Sequence, residues 1–385
     1  MLKVREINDF KFIGRNSWSN VLKLSLQNYI FQTYEYLSTW WDNFGKNRHD
    51  RQLFILIVED GSSLAAIAPL MIIRHPLLGN QPIIQFIGTD ICDYMDFIID
   101  AERYEDCLLK ILEYLSRIKY LELDLRYLPD NSGVFNYFNG KKLAGALYSQ
   151  IRQVDNCPYV KLENKQNGAF DKNLSRRLLT EIKRNEKKLE LRGRLAFKSL
   201  INNAPSKDIL AEYFNMHVRK WSVYNAKYSQ FQYKCWRDFI GSLCVSLAER
   251  GWLDFSYVEL NKKRIAYHFG FRYNYKFYYY MPTFDPEFAA YSPSKTLIMK
   301  MLEHSASDGL EEFDFLRGCE PYKLAWTSQM RPVFNIYCYS KPKLLRYSGI
   351  LRRKAMDCFA HDIKPKLKEI IPLMNIWYSK KRNSQ

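Results

Sequence analysis

One pattern of elements occurs twice in this chain. A duplication of that size constrains the fold more than any local motif, because both halves must then bury their apolar faces in the same way. The first copy runs from an apolar stretch at residues 53–58, through the turn Glu59, Asp60, Gly61, Ser62, Ser63, to a second stretch at 64–73. A segment at 86–99, a helix near 102–115 and a short strand at 121–125 follow. The second copy runs from 254–260, through Asn261, Lys262, Lys263 and Arg264, to 265–272, then 277–281, a helix at 293–306 and a strand at 313–316. Order and element types agree, and mixed strands and helices in this order predict an α+β fold.

Length supports two units. A chain of 385 residues exceeds what one hydrophobic core usually serves. The expected division is 1–160, 161–340 and a basic extension at 341–385. With 47% hydrophobic and 16% aromatic residues the composition is globular. The longest apolar run, 64–73, is too short to span a membrane, and the first residues lack the apolar core of a signal peptide, so a cytoplasmic location is expected. Eight cysteines are scattered without a C-x-x-C pair, as expected of reduced, mostly buried thiols. Six histidines without close pairs argue against a metal site.

The net charge of +17 is concentrated in two stretches. One, at 172–194, carries Arg176, Arg177, Lys183, Arg184, Lys187, Lys188, Arg192 and Arg194. There Leu174, Leu178, Ile182 and Leu189 recur at helical spacing, so an amphipathic helix beginning near Ser175 is expected. Its basic face is either a solvated surface or a contact for a polyanion, whether nucleic acid, anionic lipid or a phosphorylated substrate. The other stretch, after Lys341, alternates basic residues with Leu344, Ile350, Phe359, Leu367 and Trp377, interrupted by Pro365 and Pro372. Short basic amphipathic helices of this kind pack on the body or lie peripherally on an anionic membrane.

The most chemically loaded segment is Tyr291, Ser292, Pro293, Ser294, Lys295, Thr296, Leu297. Ser292 reads as an N-cap, Pro293 suits the first helical position, and Gly309 ends the element. The helix start presents free N–H groups and the positive end of the dipole, with Ser294 and Lys295 adding a hydroxyl and a cation. An aromatic strand, Phe277 to Met281, precedes it. The strand Phe313, Asp314, Phe315, Leu316, Arg317 follows it. That order places a cofactor pyrophosphate at the helix start and its reactive end between the strands.

These residues resemble the GNAT superfamily, and about four-fifths of the chain, residues 31–340, is similar to its CelD-like branch. That branch comprises acetyltransferases associated with bacterial cellulose and exopolysaccharide biosynthesis, related to Fem-type transferases with two GNAT domains. The resemblance is carried by Phe31, Gln32, Thr33, Tyr34, Glu35, Tyr36 and Leu37 with Trp40 and Trp41, and by Ala66 to Leu70. Leu174 to Leu178, and Asp314 to Gly318 with Glu320, Tyr322, Lys323 and Trp326, complete it. It implies two tandem GNAT-like domains, each a mixed, mostly antiparallel sheet flanked by helices, and acyl transfer from acetyl-CoA or another acyl-CoA, as co-substrate, to an amine or hydroxyl on a glycan or amine acceptor. Ser292, Ser294, Lys295 and Thr296 would hold the cofactor. Ser294 stands where similar branches carry glycine, which narrows the backbone's approach to a pyrophosphate.

Such chemistry needs a base, an oxyanion donor and an acid for the thiolate. His268, in the strand 265–272, is the expected base, with Asp285 and Glu320 as carboxylate alternatives, and Tyr322 the expected acid. Asp314, between two phenylalanines, needs a partner, for which Arg317 and Lys323 are near in sequence. In the first copy the helix start is acidic, Glu102, Glu105 and Asp106, and would repel a pyrophosphate. That copy instead carries Thr89, Asp90, Asp93 and Asp96, either a solvated loop or an acceptor-binding cluster, with Arg317 and Lys323 assisting. Metalloprotease, serine-hydrolase and P-loop signatures are missing. Three classes remain: an acyl-CoA-dependent transferase, a Fem-like transferase using aminoacyl-tRNA with the basic helix as RNA contact, and a non-catalytic assembly protein on the same fold.

Overall fold

The computed structural model describes residues 1–74, 81–120, 122–140, 148–162, 174–223 and 229–339. The basic tail at 341–385, and with it the expectation of membrane contact, lies outside the described residues. The first copy comprises β1 (Leu2–Ile7), α1 (Arg15–Leu24), α2 (Tyr34–Trp40), β2 (Arg51–Asp60), β3 (Ser63–Arg74), β4 (Pro82–Phe86), β5 (Ile98–Ile99), α3 (Tyr104–Arg117), β6 (Glu122–Pro129), α4 (Gly133–Gly140) and β7 (Tyr148–Lys161). After the connecting helix α5 (Arg176–Glu190) the second repeats the order. It comprises β8 (Leu195–Ile201), α6 (Lys207–Val223), α7 (Lys234–Glu249), β9 (Leu253–Leu260), β10 (Lys263–Tyr273), β11 (Lys276–Phe284), α8 (Pro293–Ser307), β12 (Glu312–Asp314), α9 (Pro321–Leu324) and β13 (Met330–Tyr339).

In both copies the strands meander antiparallel and then make one parallel pair across the helix, β4 with β6 and β11 with β12. Each is a mixed, mostly antiparallel sheet flanked by helices, the tandem arrangement the repeat predicts. The β9–β10 and β10–β11 turns each place two residues at positive φ, Asn261 with Lys262 and Asn274 with Tyr275, the twist-matching geometry of a two-residue hairpin. Residues 53–58 of β2 are buried on both faces, which explains why that strand reads as a continuous apolar run rather than an alternating one.

The copies are not separated by a linear cut. The strand order across the continuous sheet is β1-β2-β3-β4-β6-β13-β7-β12-β11-β10-β9-β8. Strand β13, from the end of the second copy, lies beside β6 of the first, and β7, from the end of the first, lies beside β12 of the second. The copies have exchanged their last strands, so a division at 160/161 describes the order of synthesis and not the sheet. Buried polar groups fasten this seam. Arg331 of β13 donates to Asp314 at 2.9 Å and Glu312 at 2.8 Å, and the Tyr94 hydroxyl donates to Asp314 at 2.7 Å.

Aromatic packing beside the same Tyr94 also joins the copies. The Phe31 ring, fully buried, meets Tyr36 of its own copy and Phe271 and Tyr278 of the other edge to face. One large apolar core therefore runs through both copies. A second holds α5 and α8 against the sheet, where Leu178, Ile182 and Leu189 of α5 are buried as their spacing predicts and Ser175 caps the helix. Among the described residues, five of seven cysteines are buried and all are free. No described helix is long and apolar enough to cross a membrane.

Candidate active site

Strands β11 and β12 pair only over three residues, Lys276 to Tyr278 against Glu312 to Asp314. Strand β12 then ends, the chain turns away at Leu316 (φ 60°), and β11 runs on to Phe284 paired with β10 alone. Two adjoining cavities occupy the wedge. The larger, about 500 Å³, runs from β11 to the start of α8; the smaller, about 260 Å³, runs from the same strand to Asp93 and Arg317. Tyr279, Tyr280, Met281, Gln230 and Tyr322 line both.

At the α8 start, Ser292 holds left-handed dihedrals (φ 49°, ψ 53°) instead of the extended ones of an ordinary N-cap, and its side chain makes no cap bond. A serine in that region stores strain, a condition that concentrates at functional sites. Its hydroxyl and that of Ser294 remain available in the larger cavity, and Pro293 at the first position gives up one donor. Lys295 also lines this cavity, but its ammonium donates to Glu181 of α5 at 2.5 Å. Thr296 does not reach it: the side chain is buried, facing the core. Of the four expected cofactor residues, three therefore converge.

The sequence reading missed the opposite wall. Lys220 of α6 lines the larger cavity with its ammonium 4.6 Å from the Phe284 ring centroid, and burial lowers its pKa to about 8. His217, one turn earlier, accepts from the Trp221 indole at 3.1 Å, which assigns its proton to Nδ1 facing Ser229 Oγ at 2.8 Å. Burial and then Lys220 lower its pKa to about 3. The Trp326 indole N–H has no partner and lines the same cavity. The donors on these walls, Trp326 Nε1 beside apolar Tyr279 and Ile298 and the Ser292 and Ser294 hydroxyls at the helix start, would suit an amide-bearing arm that ends in phosphate. Only the position of Lys220, one turn beyond His217, could have hinted at this face.

His268 is not a base in either cavity. It is fully buried, stacked on Tyr279 with centroids 4.8 Å apart, and burial lowers its pKa to about 4. Its Nε2 accepts from the Tyr280 N–H at 3.2 Å, where the β10–β11 register shifts near Gly270. The ring thus substitutes for a missing ladder partner. Asp285 is likewise structural: it caps the 3-10 turn at residues 286–291 and pairs with Arg219 at 2.9 Å and Lys263 at 3.2 Å, facing away from the wedge. Glu320 and Tyr322 do line the larger cavity. Glu320 pairs with Lys323 at 3.0 Å, and surrounding protein together with Glu320 raises the Tyr322 pKa, so its hydroxyl keeps its proton at neutral pH.

The acidic cluster of the first copy disperses. Asp90 is half exposed and faces Arg51 across 3.6 Å, in a separate cavity. Asp96 is buried and caps α4, receiving the N–H groups of Gly133 and Val134, and burial raises its pKa to about 7. Only Asp93 reaches the wedge, where Arg317 donates to it at 3.0 Å and Lys323 lines the same cavity. Burial raises its pKa against the opposing pull of Arg317. Lys323 is itself buried and donates to the Arg317 carbonyl at 2.7 Å. Arg317 thus serves Asp93 rather than Asp314, whose partner is Arg331. Among the described residues no group of three or more His, Cys, Asp or Glu side chains converges as a metal site would require.

Residues 176–324 match the family described as acetyltransferase (GNAT) domain, a span that begins with α5 and contains β11, the start of α8 and β12, while Trp326 and the Ile91 and Asp93 wall lie outside it. No curated protein sequence matches the chain. Among solved structures it is similar to FemX, at 10% identity over 89% of this chain and 98% of that one, with a TM-score of 0.61. It is also similar to L-PGS from Bacillus licheniformis, at 11% identity over 91% and 98%, with a TM-score of 0.53. The likeness is one of fold, GNAT-like, and the family match lies in the second copy.

Proposed function

We propose that the chain is an acyl-CoA-dependent N- or O-acyltransferase, an acetyltransferase of the CelD-like branch, acting on a glycan or amine acceptor in bacterial polysaccharide or cell-envelope biosynthesis. The observation that carries this reading is the pair of adjoining cavities, one reaching an uncapped helix start and the other a buried carboxylate from the opposite copy. The co-substrate supplies an activated acyl thioester. Around it, Lys220, Ser292, Ser294 and Lys295 bind the phosphate end, and Trp326 holds the arm. Successive strand N–H groups point to opposite sides, so with the Tyr280 N–H taken by His268 the Met281 N–H faces the wedge and receives the developing oxyanion. Asp93 orients the acceptor and takes its proton, while the Tyr322 hydroxyl, lining both cavities, gives a proton to the departing thiolate. The acceptor's carrier is met at an anionic membrane surface through the basic tail.

Calorimetric titration with acetyl-CoA tests this. Wild type should show one site, and Lys295→Glu, which places a carboxylate beside Glu181, should weaken binding by about tenfold or more. No heat from wild type would remove the reading and leave the assembly role. A Fem-like aminoacyl-tRNA reading is supported by a second observation: Arg176, Arg177 and Arg184 line a shallow depression on α5 that Glu181 joins to the α8 start. It requires tRNA retention that falls steeply with salt.

A further inference from the structure

Beyond Ile91, on the far side of the acceptor cavity, lies a third cavity of about 340 Å³ that the proposed reaction does not use. Its walls come from both copies, the turn after α2 and the start of α7. Three features single it out. Arg51 is only 15% exposed, and its Nε and one Nη are buried without a hydrogen-bond partner; Asp90, 3.6 Å away, stands beyond hydrogen-bond reach and is itself 54% exposed. The guanidinium also lies over Trp40, 5.3 Å from the ring centroid, but neither that contact nor Asp90 supplies an acceptor to those two nitrogens, and an anion bound at Arg51 would.

Beside Arg51 stand the rings of Trp236 and Phe44, edge to face with centroids 5.2 Å apart, two aromatic groups on the cavity wall. The C–H face of a pyranose suits the negative face of such rings, and the amides of Asn43 and Asn47 are at hand for hydroxyls. The wall that carries Asn43 and Phe44 is a π-helical turn, Trp41–Gly45, a conformation that recurs at functional sites. Gly45 permits it, because a Cβ there would stand 2.2 Å from the Trp41 ring. Finally, Ile91 lines this cavity and the acceptor cavity alike, and its carbonyl accepts from the Tyr280 hydroxyl at 3.0 Å. A ligand here is one residue's thickness from the reaction centre.

We infer that this cavity holds an anionic hexose of the acceptor, its carboxylate or phosphate bound by Arg51 and its ring laid on Trp236 and Phe44. The word acceptor rests on the acyltransfer reading; the sugar site itself does not. The full chain is titrated, by ligand-observed NMR and calorimetry, with glucuronate, glucose 1-phosphate and glucose. At least one anionic sugar should bind about tenfold more tightly than glucose, and whichever is tighter identifies the anion. Arg51→Gln should lose that margin and leave glucose binding as it was, while Trp236→Ala weakens all three. Unfolding temperature and acetyl-CoA titration of the Arg51 variant should match wild type.

Equal binding of glucose and both anionic sugars overturns the inference, as does an anionic preference that survives Arg51→Gln, or no binding at all. If acetyl-CoA fails to bind while the Arg51-dependent preference persists, the acyltransfer reading falls and the sugar site stands. The reverse result removes the sugar site alone.

Discussion

His268 separates a structural histidine from a catalytic one by a measurable quantity. In the unfolded chain it takes a proton near pH 6.5, but in the folded protein burial delays this to about pH 4. Between those values the unfolded state binds more protons, so stability is lost as pH falls through the window and is fully present above pH 6.5. The displacement, at about 1.4 kcal/mol per unit, comes to about 3 kcal/mol. Replacing His268 with Gln removes the titration while leaving an acceptor for the Tyr280 N–H. The variant should be less stable at pH 7 by about 1 kcal/mol, the ring stack on Tyr279 being lost, and the gap should close and then reverse toward pH 4. Asp96 and Asp314, whose raised pKa values act in the opposite sense, are common to both proteins and cancel in the difference. Urea unfolding across pH 4 to 8, with the His268 ring C2–H followed by NMR, is the assay. A gap independent of pH, or a ring that titrates near 6.5 in the folded protein, would refute the reasoning. A base role additionally predicts a loss of turnover of about a hundredfold or more, where the structural role predicts less than about tenfold.

Three further outcomes follow from the geometry. Lys220, with its pKa lowered to about 8, should be labelled by an amine-directed reagent at pH 8 well ahead of the surface lysines, as read by mass spectrometry, and acetyl-CoA should protect it. Arg331→Met leaves Asp314 buried without its cation and Glu312 with Lys276 alone, and should cost about 3–5 kcal/mol by denaturant unfolding; a cost under about 1 kcal/mol would mean the seam is held by its ladder alone. Gly45→Ala forces the Trp41 ring aside and should lower stability by about 1–3 kcal/mol, with loss of binding in the neighbouring cavity, measured by thermal unfolding and sugar titration.

The repeat was legible in the sequence because hairpins and capped helices are local. Asn261 and Asn274 announce their turns, and the order of strands around α3 and α8 follows from hydrophobic runs. The strand exchange was not legible, since β7 and β13 mix polar and apolar residues without a clear period and nothing local states which neighbour each will pair with. Of the residues singled out, Ser292, Ser294, Lys295, Glu320, Tyr322, Arg317 and Lys323 stand near the splayed strands in sequence, and Asp93 drew notice only as part of the first copy's acidic run. His268 misled because alternation along β10 shows a face but not what covers it, and Phe277 and Tyr279 cover it completely. Asp90, Asp93 and Asp96 read as one cluster, yet a turn at Gly88 (φ 80°) and the cap on α4 send them to three different places. Lys220 and Trp326 escaped notice because neither belongs to a motif; only the fold brings α6 over the wedge.

The exchanged strands also set a timetable. On the ribosome the edge of β6 is exposed long before residues 330–339 exist to cover it, and β7 is made before β12. The first copy must wait, with open edges of the kind that invite wrong pairing, until nearly the whole second copy has been synthesised. The same interlock gives two fragments divided after residue 162 a reason to find each other: each carries the strand that the other's sheet lacks, so co-expressed halves should reassemble where either one alone is left with an uncompleted sheet.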